Sequence, residues 1–424
     1  MKALRIGSRR TAATSFIFIT VTLDMLTFGM IGPVLPKLIA GFVGGNMAHA
    51  AFVIGIFATV WALMQFFASP LMGMLSDRVG RRPVILISNA VTAIDYGIMA
   101  LAPNLGWLFA GRVLSGIATA NMSAASAYIA DVTPPEQRAK AFGILGSAFG
   151  LGFILGPAIG GLIGNLDPRL TFWGAALCSL INTLYGIFVL PESLPPERRT
   201  PRLEWKRANP IGALKLLRSH HELWALTWMN FVSYLAHEVF PNVWVIYCIA
   251  VFGWSTGSIG LTLAFVGILT AINQAALVGP VVAKFGERRI LLASLVLAAI
   301  GTATMGTDNG IVFLVAIVVI CLPMYNATSQ ALMTRRVGPT EQGELQGALG
   351  SIRGISMLLG PGLFTAAFAQ FIGPWRAAGV PGAPWYIAAV LYAAAFVIAW
   401  RATGKADDIA LPTPDPAPIT YAEG

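Results

Sequence analysis

The chain has 424 residues, of which 56% are hydrophobic and only 11% charged, and its mean hydropathy is +0.72. A soluble domain carries about 25% charged residues, and a soluble surface this apolar would aggregate, so the composition excludes an ordinary soluble protein. The net charge of +9 could accompany nucleic-acid binding, but the basic residues stand in short runs between apolar stretches. We therefore interpret the chain as a polytopic membrane protein whose partner is the lipid bilayer, with no nucleic acid.

Twelve apolar runs follow one another along the chain, and a helix that crosses the hydrocarbon core needs about 20 such residues. Backbone groups in lipid must be bonded internally, which helices achieve, and the alternating pattern of a β-barrel is absent from the sequence. We number the runs as helices one to twelve. They lie at about 14–36, 50–72, 83–102, 106–130, 139–163 and 169–190, and then at about 223–248, 257–281, 289–306, 309–333, 344–371 and 383–401.

The basic residues predict the orientation of these helices. The N-terminal segment, every second loop and the C-terminal tail hold 23 of the 28 lysines and arginines. The opposite loops hold only Lys37, Arg169 and Arg376, and Arg112 and Arg353 lie within helices. Because lysine and arginine concentrate in cytoplasmic loops, both termini are predicted to be cytoplasmic.

A long polar connection at 191–222, which includes a short amphipathic piece at 211–219, divides the twelve helices into two sets of six. We predict an N-terminal six-helix bundle at 1–190, a cytoplasmic linker, and a C-terminal six-helix bundle at 223–401. The proline-rich segment at 402–424 is predicted to be a disordered cytoplasmic tail.

The two sets of helices share an internal repeat. The segment that begins at Gly73 matches one at Gly279, at an offset of 206 residues, and Glu136-Gln137 matches Glu341-Gln342 at 205. Gly156-Pro157 in helix five matches Gly360-Pro361 in helix eleven at 204. A duplicated six-helix unit explains these offsets, and it predicts two pseudo-symmetric bundles with a substrate site between them.

Helix two is followed by the sequence GMLSDRVGRRP at 73–83. Its glycines allow a tight turn, and its aspartate and arginines can pair their charges; the alternative is a generic basic loop. The loop resembles the signature loop between helices two and three of the major facilitator superfamily. That resemblance implies a cytoplasmic gate formed by Gly73, Asp77, Arg78, Gly80 and Arg81.

Helix five contains a regular series of glycines that ends in a Gly-Pro pair and a Gly-Gly pair. Small residues four apart let helices approach closely, and proline bends a helix, so plain helix packing is the alternative to a transport role. The pattern resembles the helix-five motif of proton-coupled antiporters in the same superfamily. The motif residues are Gly143, Gly152, Gly156, Pro157, Gly160 and Gly161.

The segments TLDMLTFGMIGPVLPKL, NAVTAIDYGIMALAPNLGWLFAGRVLSGIATA and AYIADVTPPEQRAKAFG resemble the bacterial tetracycline-efflux subgroup of drug:proton antiporters. The resemblance implies matching charged positions at Asp24, Asp77, Asp95 and Arg112. The second half departs from the subgroup, because Thr270 stands where those pumps carry a histidine and Leu297 where they carry an aspartate. We therefore expect tetracycline export to be weak or absent.

Inserting a charged residue at mid-bilayer costs at least about 2.5–3.5 kcal/mol, so each charged residue inside the apolar runs requires a structural or functional explanation. Asp24, in helix one, is the leading candidate for proton coupling, because desolvation makes a carboxyl easier to protonate. The alternatives are a counter-ion for a cationic substrate and a structural hydrogen bond. Arg112 resembles the helix-four arginine of the family, which interacts with coupling carboxylates, but it could also form a fixed ion pair. Asp95 could serve structure or transport.

In helix seven, Asn230, Tyr234 and Glu238 share one face, and His237 flanks it. Glu238 and His237 could replace the ionisable groups that the second half has lost, or Glu238 could sit near the outer interface. Arg353, about two turns into helix eleven, could line the cavity or extend to the membrane surface.

The candidate substrate cavity combines polar and aromatic side chains within predicted helices, each of which could instead make an interhelical hydrogen bond. With four histidines, three of them in loops, and no cysteine pair, no metal site is expected, and no cofactor other than protons as the coupling ion. The cavity candidates are Trp61, Gln65, Asn121, Tyr234, His237, Trp244, Asn273, Gln274, Tyr325, Asn326, Gln330 and Arg353.

These features favour a proton-coupled exporter of a small hydrophobic or amphipathic compound in a bacterial inner membrane, acting as a monomer. The alternatives are a proton symporter that imports a nutrient and a non-transporting receptor. An enzyme is not expected, because the sequence has no nucleophile motif, acid/base cluster or phosphate-binding loop.

Overall fold

The computed structural model describes residues 2–119, 122–134, 137–200, 221–338 and 341–404. Within those ranges every regular element is a helix. Four features named above lie outside the described residues: Asn121, Glu136, the amphipathic piece at 211–219, and the tail beyond residue 404.

We label the helices α1 to α12 in chain order, with a and b for two described segments that fall within one predicted helix. The first half contains α1a (Lys2–Ile31), α1b (Leu35–Phe42), α2 (Met47–Val79), α3 (Arg81–Leu101), α4a (Leu105–Ala118), α4b (Met122–Val132), α5 (Arg138–Leu166) and α6 (Pro168–Val189). The second half contains α7a (His221–His237), α7b (Val239–Phe252), α8a (Thr256–Ile272), α8b (Val278–Phe285), α9 (Glu287–Met305), α10a (Gly310–Ile320), α10b (Tyr325–Thr334), α11 (Gln342–Ile372) and α12 (Ala383–Thr403).

Eleven of the described helical segments are long and apolar enough to cross a membrane. The twelfth predicted helix is α4, whose two parts lie on either side of residues 119–121. The prediction of an all-helical membrane protein with twelve helices is therefore confirmed.

Three predicted helices are interrupted within the described residues, although each apolar run predicted a continuous helix. Helix one breaks at Gly32-Pro33, and helix ten breaks around Pro323. Helix seven breaks at Glu238, because Pro241 lacks the amide that would bond to the carbonyl oxygen of His237 one turn earlier. By contrast, Pro157 lies inside an uninterrupted α5, so a proline alone does not locate a break.

Helix eight continues through a π-helical turn at Asn273–Leu277. The side-chain amide of Asn273 donates to the carbonyl oxygens of Cys321 and Leu322, at 2.9 and 3.2 Å. These carbonyls lie at the break in α10, where regular helical bonding stops. Asn273 therefore supports the irregular backbone of its neighbour.

Most helix packing occurs within each half. In the first half, α1 packs against α5 and α6, and α3 packs against α4 and α6; in the second half, α7 and α9 pack against α12, and α7 against α11. The halves meet mainly along two pairs of helices, α5 with α8 and α2 with α11.

The halves meet at one end of the molecule. We call the end with Gly80 and Gly286 the motif end, and the end with residues 43–46 and 253–255 the opposite end. Near the opposite end, a Cβ added to Gly161 of α5 would lie 2.9 Å from the Cα of Gly260 of α8. The two helix backbones are therefore in direct contact there.

The same helices diverge toward the motif end. On α5, Ile154 and Gly161 contact α8, and Gly150 and Gly143 continue that helix face. A Cβ added to either of these two glycines would meet no atom of the described residues within 4 Å. As far as the described residues show, the space between these two helices is thus open at the motif end.

Candidate functional site

The motif segment at 73–83 is not a long loop, because only Gly80 lies between α2 and α3. The segment is organised around Arg81, whose side chain is only 10% exposed. Its guanidinium lies 2.5 Å from the carboxylate of Asp77 and 3.1 Å from that of Asp131 on α4b. Its backbone amide donates to Glu192, beyond α6, at 3.0 Å. Gly80 has a φ of +112°, which disfavours any side chain. The segment therefore joins α2, α3, α4 and the end of α6 through the side chain and the backbone amide of one buried residue.

Two acidic residues of this cluster, Asp131 and Glu192, were missed by sequence reasoning, although both lie at the ends of apolar runs on the motif-loop side. Of the expected gate residues, Gly73 faces Ser123 of α4b, and Arg78 is exposed. The acidic partners of Arg81 could not be identified from the sequence, because Asp131 lies 50 residues away along the chain.

The second half repeats this arrangement with reversed charge. Gly286 has a φ of +82°, and Glu287 after it pairs with Arg335 at 2.7 Å. Glu287 corresponds to Arg81 at the offset of 206, and Arg335 corresponds to Asp131 at 204. The repeat seen in the sequence thus also relates two ion pairs in space, with the acid and the base exchanged.

The glycines of the helix-five motif bring α5 into backbone contact with two helices. A Cβ on Gly156 would lie 2.8 Å from the Cα of Gly29 of α1, and Gly152 and Gly160 face the same stretch of α1. Gly161 faces α8 instead, where Gly260 lies against the carbonyl of Pro157. Gly143 makes no such contact within the described part of the chain. The motif therefore joins α1 to α5 and, through α5, to the second half.

Asp24 lies on α1a and faces α6. The side-chain amide of Asn182 donates to its carboxylate at 2.8 Å and to the carbonyl oxygen of Thr20 at 3.0 Å. The hydroxyl of Thr27 donates to the backbone carbonyl of Asp24 at 2.9 Å. Asn182 is fully buried and was missed by sequence reasoning, because a single asparagine in an apolar helix carries no distinguishing pattern.

Asp95 and Arg112 are brought together between α3 and α4a. Asp95 is fully buried against Gly111, and neither of its carboxylate oxygens accepts a hydrogen bond from the residues that the structure describes. The Arg112 guanidinium interacts electrostatically with Asp95 and lies over the ring of Trp61, 5.6 Å from its centre. Tyr96 is electrostatically coupled to Asp24 and to this pair.

Glu238 stands at the break in helix seven. Its side chain packs directly against Gly360 of α11, and the amide of Asn242 donates to its carboxylate at 3.3 Å. Next to it, His237 is exposed, and its ring lies 3.4 Å from the hydroxyl of Tyr325. Glu238 is thus on the inner side of α7, against a helix of its own half.

Arg353 of α11 belongs to the same group of side chains. It interacts electrostatically with Tyr234, His237 and Glu238 of helix seven and with Tyr325 of α10b. The tertiary structure therefore gathers the polar residues of helices seven, ten and eleven into one cluster, which we call the second-half cluster.

The remaining cavity candidates are scattered. Trp244 is buried in an aromatic core with Phe240, Phe313 and Trp385. Asn273 supports the break in α10. Neither Trp244 nor Asn273 is therefore part of the proposed cavity lining. Gln330 donates to Gln346 of α11 at 3.0 Å. Gln274 and Asn326 are exposed, and Trp61 and Gln65 are half-buried.

No group of three or more metal-binding side chains occurs among the described residues. Thr270 and Leu297, at the two positions where the expected ionisable groups are missing, are half-buried in α8a and α9. The acidic and basic side chains of the second-half cluster lie on helices seven and eleven instead.

Comparison with known proteins gives consistent matches along most of the chain. The family model of the Major Facilitator Superfamily matches residues 17–276 and 226–420. The chain is 36% identical over 375 residues to the class C tetracycline resistance protein of Escherichia coli, covering 88% of this chain and 92% of that protein. It is 36% identical over 376 residues to the class G tetracycline resistance protein of Vibrio anguillarum, covering 88% and 93%.

Among solved structures, the fold is similar to that of a bacterial homolog of the human lysosomal transporter Spinster in an inward-facing, occupied conformation. The TM-score is 0.72 at 18% sequence identity, over 95% of this chain and 99% of that one. This likeness concerns the fold alone.

Proposed function

Since the chain belongs to the major facilitator superfamily, we propose that it is a proton-coupled secondary transporter that exports a small hydrophobic or amphipathic organic compound by alternating access. The 36% identity to two bacterial tetracycline resistance proteins supports drug efflux. The observation that carries the proposal is the contact between the halves, which is close at the opposite end and open at the motif end. Rocking of one half against the other would move that opening across the membrane.

The two halves act as six-helix bundles at 1–190 and 223–401, joined by a cytoplasmic linker at 191–222. The motif end faces the cytoplasm of a bacterial inner membrane, because the segments at that end hold 23 of the 28 basic residues. The transporter works as a monomer, with protons as the coupling ion, no other cofactor and no covalent chemistry.

Proton coupling centres on Asp24. When its carboxyl is ionised, it accepts a charge-assisted hydrogen bond from Asn182 of α6. Protonation weakens that bond and frees α1 to shift relative to α6. Because α1 is also in backbone contact with the glycines of α5, this shift is transmitted to the helix that meets α8.

In the proposed cycle, the substrate enters from the cytoplasm or the inner leaflet while Asp24 is ionised. The cavity closes at the motif end and opens at the opposite end. A proton from outside then reaches Asp24, the substrate leaves, and the protonated transporter returns and releases the proton to the cytoplasm. Asp95, Arg112 and Glu238 are further candidates for charge movements in this cycle.

Asp24→Asn tests the proposal. The variant keeps the shape of the side chain but removes the proton site, so we expect proton-driven export in everted vesicles to fall to background while the protein still inserts. Asp308→Asn, in the exposed connection between α9 and α10, is the matched control and should transport normally. Undiminished export by Asp24→Asn would overturn the assignment of Asp24.

The direction of flux distinguishes export from import. Antiport releases protons from everted vesicles as substrate moves in, whereas symport would carry both in the same direction. Co-transport of proton and substrate in the same direction would refute the antiport mechanism.

A further inference from the structure

Arg353 holds a positive charge about a third of the way along a membrane helix. It lies eleven residues into α11, about 16 Å from the start of a helix that is itself about 46 Å long. An arginine at this depth is costly to insert and normally has an anionic partner or lines a water-filled space. No carboxylate of the described residues lies within 4.0 Å of its guanidinium.

The side chain points toward helix seven and not into lipid. On the same face of α11, Ser356 donates to the carbonyl oxygen of Phe231 at 3.3 Å, and Gly360 packs against Glu238. Spacings of three and seven residues place Arg353 on this face as well. Arg353 is exposed, so its guanidinium is accessible on this face.

The surroundings of Arg353 are rich in hydrogen-bonding aromatic side chains. Tyr234 and His237 of α7a and Tyr325 of α10b all lie within electrostatic range of its charge. The hydroxyl of Tyr325 also contacts Tyr392 at 3.1 Å, which holds it in place. An apolar pocket with a few placed polar groups is the usual form of a site for a small organic ligand.

We propose that Arg353 binds a carboxylate of the transported compound, so that the substrate is an aromatic or otherwise apolar organic acid. A guanidinium presents a planar pair of N–H donors that matches a carboxylate, and it stays charged at any physiological pH. Tyr234 and His237 form the wall against which the apolar body of the compound packs. This inference rests on the proposed export function, whose substrate class it specifies.

Glu238 is the competing anion in this site. Its carboxylate is held against Gly360 and Asn242, close enough to attract Arg353 without forming an ion pair within 4.0 Å. A negative charge there opposes a second one on the ligand. Neutralising Glu238 therefore strengthens the binding of an organic acid to Arg353.

The test uses two probes of the same shape, 2-naphthoate, which is ionised at neutral pH, and its neutral amide, 2-naphthamide. Binding to the purified full-length transporter is measured by isothermal titration without any proton gradient. We expect the parent protein to bind the acid at least tenfold more tightly than the amide. Arg353→Met should bring this ratio to about one, and Glu238→Gln should raise it.

Arg376→Met is the matched control, because it removes one exposed cation from the connection between α11 and α12 and should leave the ratio unchanged. Retained binding of the amide shows that the cavity of each variant is intact. The inference is overturned if the parent protein binds the acid and the amide equally well or binds neither of them. It is also overturned if Arg353→Met keeps the preference for the acid. Because no transport is measured, these outcomes are independent of the Asp24 experiment.

Discussion

The two principal membrane carboxyls each have an asparagine beside them. Asn182 donates to Asp24 at 2.8 Å from another helix, and Asn242 donates to Glu238 at 3.3 Å from the next turn of the same helix. Charged residues are rare in apolar helices, so the sequence drew attention to the acids. The amides that hold them are uncharged and were found only through their contacts.

At the scale of single residues, we predict that Asn182→Ala lowers proton-driven export by about tenfold or more. A hydrogen bond to a charged group contributes about 1.5–3 kcal/mol, and its loss leaves the carboxylate of Asp24 poorly positioned. Initial rates of export in everted vesicles, normalised to inserted protein, provide the measurement. Ser179→Ala, one turn earlier on α6, is the control: its buried hydroxyl has no hydrogen-bond partner among the described residues, so export should be unchanged. Equal rates for both variants would rule out a positioning role for Asn182.

At the scale of the helices, the helix-five motif divides into two parts with different surroundings. Gly160 lies against the backbone of Met30 in α1, whereas Gly143 lies in the open part of the structure. Both glycines belong to the same sequence motif and both lie within one uninterrupted helix. The contact that each makes is therefore a property of helix packing and not of the motif itself.

We predict that Gly160→Ala is strongly destabilising and that Gly143→Ala is neutral or slightly stabilising. The added methyl group at Gly160 would meet backbone atoms that cannot turn away, and overpacking of this kind costs about 1–3 kcal/mol. In the open position alanine is the better helix former, by up to about 1 kcal/mol. Thermal unfolding of the purified protein in detergent measures the difference. A similar loss of thermal stability in both variants would contradict the packing seen here.

At the scale of the whole molecule, the conformation follows from where the two halves touch. Their helices are in contact near the opposite end, where Gly373 on one half meets Ala48 on the other. They diverge toward the motif end, where Gly150 and Gly143 lie on the same face of α5 that contacts α8 nearer the opposite end. Alternating access requires the close contact at the opposite end to open once in each cycle.

We predict that Ala48→Cys combined with Gly373→Cys forms a disulfide spontaneously and stops transport until it is reduced. A Cβ at position 373 would lie 3.0 Å from that of Ala48, less than the separation of about 3.5–4.5 Å in a disulfide, so a small outward shift of the helices brings the two cysteines to bonding distance. The native Cys178, Cys248 and Cys321 are replaced by alanine beforehand. Mobility on a non-reducing gel and export before and after dithiothreitol are measured.

A control pair at the motif end, Gly143→Cys with Gly279→Cys, should cross-link far more slowly. Full transport by the oxidised pair at 48 and 373 would exclude the proposed opening.

The twelve helices and the kinship with tetracycline efflux proteins were predicted from local sequence and are confirmed. The helix breaks were not predicted. Proline interrupts helices one, seven and ten but is accommodated within α5, because a break also depends on whether neighbouring groups satisfy the freed carbonyls, as Asn273 does for α10.

Membrane insertion depends on the hydropathy of each segment separately, and the predicted orientation depends on the charge of each loop separately. The spanning segments and their predicted orientation could therefore be deduced without knowing how the helices pack. The repeat could be recognised for the same reason, since it compares the chain with itself. Which side chains meet was decided by packing alone: Arg81 with Asp131, Asp24 with Asn182, and Arg353 with the polar face of helix seven. These partners are 50 to 158 residues apart in the first two cases, and only the close approach of helices brings them within reach.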